Sequence, residues 1–286
     1  MKTRKLFWAL VPVFALFAVS CNPDDKKGKE PDVPVDENKV IASIDCYDYD
    51  GSLEYVSVFK YDEKWRVVGI TEEGEYSSLT SEITYSDDSV KIVENYGDYI
   101  EELLYALDAS GRASNFSYIT RVGSEYEEKI FDDVSFSYNG DGSLSSISVS
   151  FEDVVDMDGA RLEMKHTWKD GNLIEIEALL MGIPFEIGER SYTDIPNDAN
   201  IDLNSLIYVS NISNIADTSY DGDFLGIYGK RSDCMVETDA WDGDLFEYEY
   251  ELDDKNRVSK INVYDLDPNP DLSRELYYSY KINYMK

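Results

Sequence analysis

From about residue 40 onward, apolar and polar residues alternate with a period of two, the mark of strands with one buried face. Across Arg161–Lys169, Leu162, Met164, His166 and Trp168 share one face, while Arg161, Glu163, Lys165, Thr167 and Lys169 take the other. Phe246, Tyr248, Tyr250 and Leu252 alternate with Glu247, Glu249 and Glu251. Leu276, Tyr278, Tyr280, Ile282 and Tyr284 close the chain in the same rhythm. Helical periodicity is nearly absent, so the pattern predicts an all-β fold.

The strands are punctuated by turns of similar chemistry. Asp50-Gly51-Ser52-Leu53, Asn139-Gly140-Asp141-Gly142-Ser143-Leu144 and Asp170-Gly171-Asn172-Leu173 carry glycines suited to positive φ. Ser110-Gly111-Arg112 and Asp254-Lys255-Asn256-Arg257 read as looser versions. After these turns apolar pairs recur at a spacing of three: Leu53/Val56, Val67/Ile70, Leu144/Ile147, Leu173/Ile176 and Val258/Ile261. In a regular strand that spacing falls on opposite faces, so the first member is expected to cover the sheet end and the second to join the core. The turn glycines Gly111, Gly142 and Gly171 lie 31 and 29 residues apart. That is one hairpin per repeat, with strands of roughly 12 residues, about 40 Å long. Further turns are expected near Val122-Gly123-Ser124 and Asp156-Met157-Asp158-Gly159. The simplest solution is an up-and-down antiparallel meander of long strands, curled or closed into a soluble barrel-like sheet to manage its edges. One stretch breaks the rhythm: a short helical insertion is expected near 198–210, capped by Asp198 or Asn200 and lying across an open end of the sheet.

The N-terminus changes the picture. Lys2, Arg4 and Lys5 precede an apolar run from Leu6 to Ala18, too short to span a bilayer comfortably, and Ala18-Val19-Ser20-Cys21 follows. This resembles the lipobox of bacterial lipoproteins, which implies a signal peptide over 1–20 and lipidation at Cys21. The stretch 21–39 is polar and charged, so it is expected to be a disordered tether, and 40–286 a single β-domain. Asp24-Asp25 behind the cysteine resembles the export signal of Bacteroidetes surface lipoproteins. An outer-membrane, lipid-anchored address is therefore expected, at the cell surface in preference to the periplasmic face.

The lipobox, the Tyr-rich strands with Asp-Gly-x-Leu-x-x-Ile turns, the Asn200–Leu206 segment and the Gly226–Ser232 segment together resemble a Bacteroidetes lipoprotein family, a domain of unknown function with a porin-like β-fold. The likeness runs from about Val40 to the C-terminus. It implies a fold and a cell-envelope setting, but neither an activity nor catalytic residues.

Charge and chemistry narrow the function. The chain carries a formal net charge of −33, and losing Lys2, Arg4 and Lys5 takes it to about −36. Such a field repels nucleic acid and anionic lipid, leaving the lipid anchor as the expected membrane contact. With 43% hydrophobic residues, including 23 Tyr and 11 Phe, the chain nevertheless holds enough for a core. Cys46 and Cys234 stand far apart in sequence; a bridge and two buried thiols both remain open. The single histidine, His166, lies in an apolar alternation and reads as a core residue, and the usual zinc sets cannot be assembled. The acidic clusters Asp48-Tyr49-Asp50, Asp156-Met157-Asp158, Asp221-Gly222-Asp223 and Asp242-Gly243-Asp244 match no twelve-residue calcium loop and read as solvated turns. No cofactor fingerprint is present, and no catalytic, cofactor-binding or metal residues are assigned. Candidate ligand contacts are Trp65, Tyr228, Lys230, Arg231 and Trp241, aromatic faces and bases suited to a glycan or protein ligand. The reading is a non-catalytic surface binding module. The alternatives are a structural or assembly accessory of the outer membrane and, behind it, a carboxylate-based hydrolase.

Overall fold

The structure is a computed structural model that describes residues 35–74, 78–122, 126–151, 159–207, 222, 224–241, 243–266 and 274–286, with 126–133 and 151 described as backbone only. The expected signal peptide, Cys21, most of the expected tether, the turns expected at 123–124 and 156–158, and Asp221, Asp223 and Asp242 lie outside the described residues. Sixteen strands follow in order: β1 Ile41–Asp48, β2 Leu53–Tyr61, β3 Val67–Gly74, β4 Ser78–Tyr85, β5 Ser89–Asn95, β6 Tyr99–Leu107, β7 Ala113–Val122 and β8 Tyr126–Tyr138. The second half comprises β9 Leu144–Phe151, β10 Ala160–Lys169, β11 Asn172–Leu180, β12 Ile183–Pro196, β13 Cys234–Trp241, β14 Asp244–Leu252, β15 Val258–Leu266 and β16 Arg274–Tyr284. Each strand pairs with its sequence neighbours, and β1 pairs antiparallel with β16, so the meander closes into a barrel without edges. The strands run from 7 to 14 residues, so the expected twelve is an upper-range length.

The turns explain the repeat. Asp62, Asp108, Asn139 and Asp253 each open a five-residue turn, closed by backbone bonds to the first and last residues, as between Asp108 N and Arg112 O (2.7 Å) and between Gly111 N and Asp108 O (3.0 Å). The fourth position is left-handed in every case, at Trp65 (φ 61°), Gly111, Gly142 and Asn256 (φ 60°). The supposedly looser versions are thus the same turn. In three of them the fifth residue is arginine, whose Nε returns to the opening aspartate: Arg66 to Asp62 (2.8 Å), Arg112 to Asp108 (3.0 Å) and Arg257 to Asp253 (2.8 Å). The same guanidiniums lie over Tyr85, Tyr138 and Tyr284, 4.2, 4.2 and 4.0 Å from the ring centroids.

The spacing of three is corrected here. Register shifts just after the turns, as at Tyr61/Val67, Tyr138/Leu144 and Leu252/Val258, insert an extra residue. That bulge rotates both members of each pair into the barrel, so Val67 and Ile70, Leu144 and Ile147, Leu173 and Ile176, and Val258 and Ile261 are all buried. Leu53, at the other end, is 50% exposed. A bulge also leaves a carbonyl outside the ladder, and an aromatic at the end of an even strand donates to it. Tyr61 bonds Ile41 O (2.6 Å), Tyr85 Val67 O (3.0 Å), Tyr138 Ala113 O (2.7 Å), Trp168 Leu144 O (2.7 Å), Tyr192 Leu173 O (2.6 Å) and Tyr284 Val258 O (2.9 Å). Burial pushes the Tyr61 and Tyr85 hydroxyls up to about 12, which keeps them donors at physiological pH. Tyr85→Phe and Tyr192→Phe should each cost about 1 kcal/mol, because each strands a buried acceptor. Lying well apart in the chain and on separate strands, they should add. A urea midpoint that falls at unchanged m-value would show it.

The described parts of the connection between β12 and β13, 197–207, 222 and 224–233, pack into one end, the end where the chain enters at Ile41 and leaves at Tyr284. The expected helix is a single 3-10 turn, Leu203–Leu206, and its cap is Asp202, whose side chain accepts from Asn204 N, in place of Asp198 or Asn200. Asn200 instead bonds Ile41 N through Oδ1 (2.9 Å), and Asp198 pairs with Lys39. Phe224 stacks on Phe59 of β2 (5.6 Å) and Tyr228 packs against Phe136 of β8 (4.9 Å), so the segment enters the lumen as a plug. Its backbone and side chains meet N–H groups that the bulged strand starts leave open: Ala113 N to Ile227 O (2.8 Å) and Leu173 N to Ser232 Oγ (3.1 Å). Gly229 passes so close to the β8–β9 turn that a Cβ would sit 2.4 Å from Gly142 O. Cys46 and Cys234 are free thiols.

Candidate functional site

Three layers lie along the lumen. The plugged end is apolar. Deeper in, the inner face turns polar: Ser57, Glu72, Ser81, Glu94 and Glu101 share it on β2–β6. Glu94 and Glu101 are direct partners across β5 and β6, and Glu94 is fully buried. Burial, aided by Glu101 and Glu72, pushes the Glu94 carboxyl up to about 8, against the Tyr96 hydroxyl (3.1 Å) that favours its charge. Across the lumen Arg190 of β12 bonds Asp239 of β13 at 3.1 Å, with side-chain exposures of 2% and 0%. His166 stands on the inner face of β10, its Nδ1 buried without a hydrogen-bond partner; burial and Arg190 hold it down to about 3. It is a neutral core histidine.

The third layer is the rim formed by the strand ends away from the termini. Here β12 overhangs. Its pairing with β13 begins at Glu189↔Ala240, so among the described residues the strand pairing of Ile183–Gly188 is with β11 alone. Glu186, Gly188 and Arg190 share the lumen-facing parity, which turns Phe185 and Ile187 outward, both 53% exposed, beside Met181 at 62% and Ile183 at 70%. About a third of the way round, Tyr49, Asp265, Glu275, Leu276 and Tyr277 line a pocket of about 460 Å³ at the ends of β1, β15 and β16.

The residues singled out from sequence do not converge. Trp65 is the left-handed turn residue between β2 and β3, tilted against Tyr61 (6.2 Å). Tyr228 is a buried plug residue, its hydroxyl 3.2 Å from that of Tyr105. Lys230 bonds Gly142 O through its backbone and pairs with Asp233 (3.8 Å), and Arg231 acts electrostatically on buried Asp202. All four sit at the plugged end, whereas Trp241 ends β13 at the opposite rim and packs partly against the core. The rim residues were hidden in the sequence because a period of two separates faces without saying which is the lumen.

The outer wall carries charge on strand after strand. Glu102 pairs with Lys91 (3.0 Å) and Arg121, Lys260 with Glu251 (3.4 Å), Lys281 with Asp45 (3.5 Å), and Arg274 with Glu247 and Glu249 (3.2 and 2.8 Å). A lipid-facing barrel needs an apolar outer band and a polar interior. This wall, with an apolar plug inside, is built the other way round.

No protein-family profile and no curated protein match the chain. Solved structures do. A porin-like protein from Bacteroides uniformis superposes with a TM-score of 0.59 at 14% identity, covering 85% of this chain and 97% of its own. One from Bacteroides vulgatus gives 0.57 at 13%, over 86% and 99%. The likeness is one of fold: these too share the all-β barrel architecture, which fixes this chain as a closed sixteen-stranded antiparallel barrel.

Proposed function

We propose that the protein is a non-catalytic, lipid-anchored module of the outer envelope that binds a glycan or protein partner at its open rim. The envelope setting is supported by the lipobox-like Ala18-Val19-Ser20-Cys21 and by the fold shared with the porin-like Bacteroides proteins. The observation that carries binding is the overhang of β12, where Ile183, Phe185 and Ile187 stand exposed on a strand segment that β13 leaves uncovered. It lies at the end opposite Ile41, the start of β1. A purely structural accessory has no need of an apolar ridge on a chain of net charge −33. The Glu94–Glu101 pair has the raised carboxyl a hydrolase requires, but it is buried inside the wall, so we assign it to packing.

The test is thermal melting of the chain from Asn22 onward against purified glycans and extended peptides, with calcium and EDTA arms. One ligand class should give a saturable rise, about 2.7 kcal/mol at a hundredfold excess over Kd, or roughly 5–10 °C for a domain of this size. Phe185→Ser with Ile187→Ser should abolish it. No shift with any class would sink the binding reading and leave the structural role.

A further inference from the structure

The chemistry of the β11–β12 hairpin narrows the partner, a step that rests on the reading above. From Leu179 to Phe185 the chain runs Leu-Leu-Met-Gly-Ile-Pro-Phe, seven residues without a charged, hydroxyl or amide side chain. Leu180 pairs with Ile183, so Met181 and Gly182 alone make the turn, and both are left-handed (φ 53° and 79°). Asparagine or glycine fills the first of these positions at least cost; here a bulky apolar side chain occupies it and stands exposed. The Met181 N–H bonds Arg161 O (2.8 Å), which braces the tip against the start of β10. Leu180, Ile183, Phe185 and Ile187 carry the exposed apolar surface down from the tip. A ridge held in place this way loses little freedom when a partner covers it.

A sugar is held by polar groups placed around an aromatic face. The run from Leu179 to Phe185 offers one ring and none of those groups, so the ridge suits a protein surface better than a glycan. Its border is acidic. On the outward face Ile187 pairs across the ladder with Glu177, and Glu189, next on that face, pairs with Glu175. Glu175 takes a bond from Thr167 (3.3 Å) and Glu177 a contact from Lys165 (4.0 Å), while Glu189 is exposed at the foot of the ridge. We propose that the ridge docks a segment of a protein partner that carries an apolar stripe bordered by lysine or arginine. The stripe covers Met181, Ile183, Phe185 and Ile187, and the basic side chains come to rest against Glu175 and Glu189. The formal charge of −33 acts in the same sense: it speeds encounter with a basic partner and opposes the pairing of two copies of this chain through their ridges.

The experiment is fluorescence anisotropy of three labelled synthetic peptides of equal length, titrated with the chain from Asn22 onward. In one, leucine alternates with lysine; in the others lysine is replaced by serine or by glutamate. The lysine peptide should bind saturably, about tenfold or more tighter than the serine peptide, with the glutamate peptide weakest. Phe185→Ser with Ile187→Ser should weaken the lysine peptide by about tenfold or more, since the apolar anchors carry the contact. Glu175→Gln with Glu189→Gln should weaken it about 3- to 10-fold and flatten its salt dependence. That second pair relieves like charges across the ladder, so its melting temperature should equal or exceed the parent's and a folding defect cannot imitate the result. Three results would overturn the proposal: no binding of the lysine peptide, equal binding of the serine or glutamate peptide, or lysine-peptide binding unchanged in the Phe185/Ile187 variant, which is general attraction to an acidic chain. Phosphatidylcholine vesicles and purified glycans run alongside. Binding of either that depends on Phe185 and Ile187, without binding of the lysine peptide, would overturn the basic-protein partner and keep the ridge as a binding site; silence from every probe would sink both.

Discussion

Asp239→Asn and Arg190→Met should each destabilise the barrel by about 3–5 kcal/mol, while Arg190→Met combined with Asp239→Leu should recover most of the loss. The two side chains are 2% and 0% exposed and bonded at 3.1 Å in the wall shared by β12 and β13. Both charges have lost their water, so each is tolerated chiefly because the other is there. Removing one leaves the other buried without its opposite charge; removing both replaces an ion pair with apolar volume in a lumen that is already apolar one layer below. At this size each kcal/mol moves the melting temperature by roughly 2–4 °C, so the single variants should fall by about 10 °C. A double-mutant cycle separates the coupling from the individual losses. Single variants within 1 kcal/mol of the parent would mean that water reaches the pair and that the lumen is wetter than the burial implies. The effect should exceed that of any one tyrosine lock, because a neutral hydroxyl costs far less to strand than a charge.

Much of the barrel was legible because its determinants are local. Alternation identified the strands, and Leu162, Met164 and Trp168 do share a face packed toward the core. The Asp-to-Arg turns were visible, although Trp65 hid the equivalence by occupying a left-handed position that Gly111 fills elsewhere. The bulge was not legible, since a spacing of three has the opposite meaning once an extra residue is inserted. The plug was seen only as a break in rhythm. Its burial depends on Phe59, Tyr105 and Phe136, which belong to distant strands. The rim pocket was out of reach for a further reason. Tyr49 and Tyr277 are two among 23 tyrosines, and only closure of β1 on β16 brings them together. Tyr228, singled out as an aromatic beside two bases, is held in the lumen, a placement that only the closed barrel reveals.

Glu94 and His166 together should give the stability a plateau at mildly acidic pH. Glu94 titrates near 8 in the folded barrel and near 4.5 when unfolded, so the native state holds the extra proton between those values. Its contribution is complete below 4.5 and is lost as pH rises toward 8. His166 runs the other way: near 3 when folded against 6.5 unfolded, it is neutral inside and contributes fully above 6.5, losing that as pH falls toward 3. Between about 4.5 and 6.5 the two slopes oppose each other and nearly cancel. Above 6.5 the Glu94 slope stands alone, and stability should decline toward pH 8. Glu94→Gln keeps the shape and supplies a permanent neutral group, so it should remove that decline and raise stability at pH 8 by about 2–4 kcal/mol, with little change at pH 5. His166→Asn should leave the alkaline limb alone and soften the acid one. Urea unfolding of the three chains from pH 4 to 9 checks both limbs at once. A parent curve flat from pH 6.5 to 8 would show that no carboxyl in the wall holds an extra proton there, and a Glu94→Gln chain no more stable than the parent at pH 8 would show that Glu94 is already ionised.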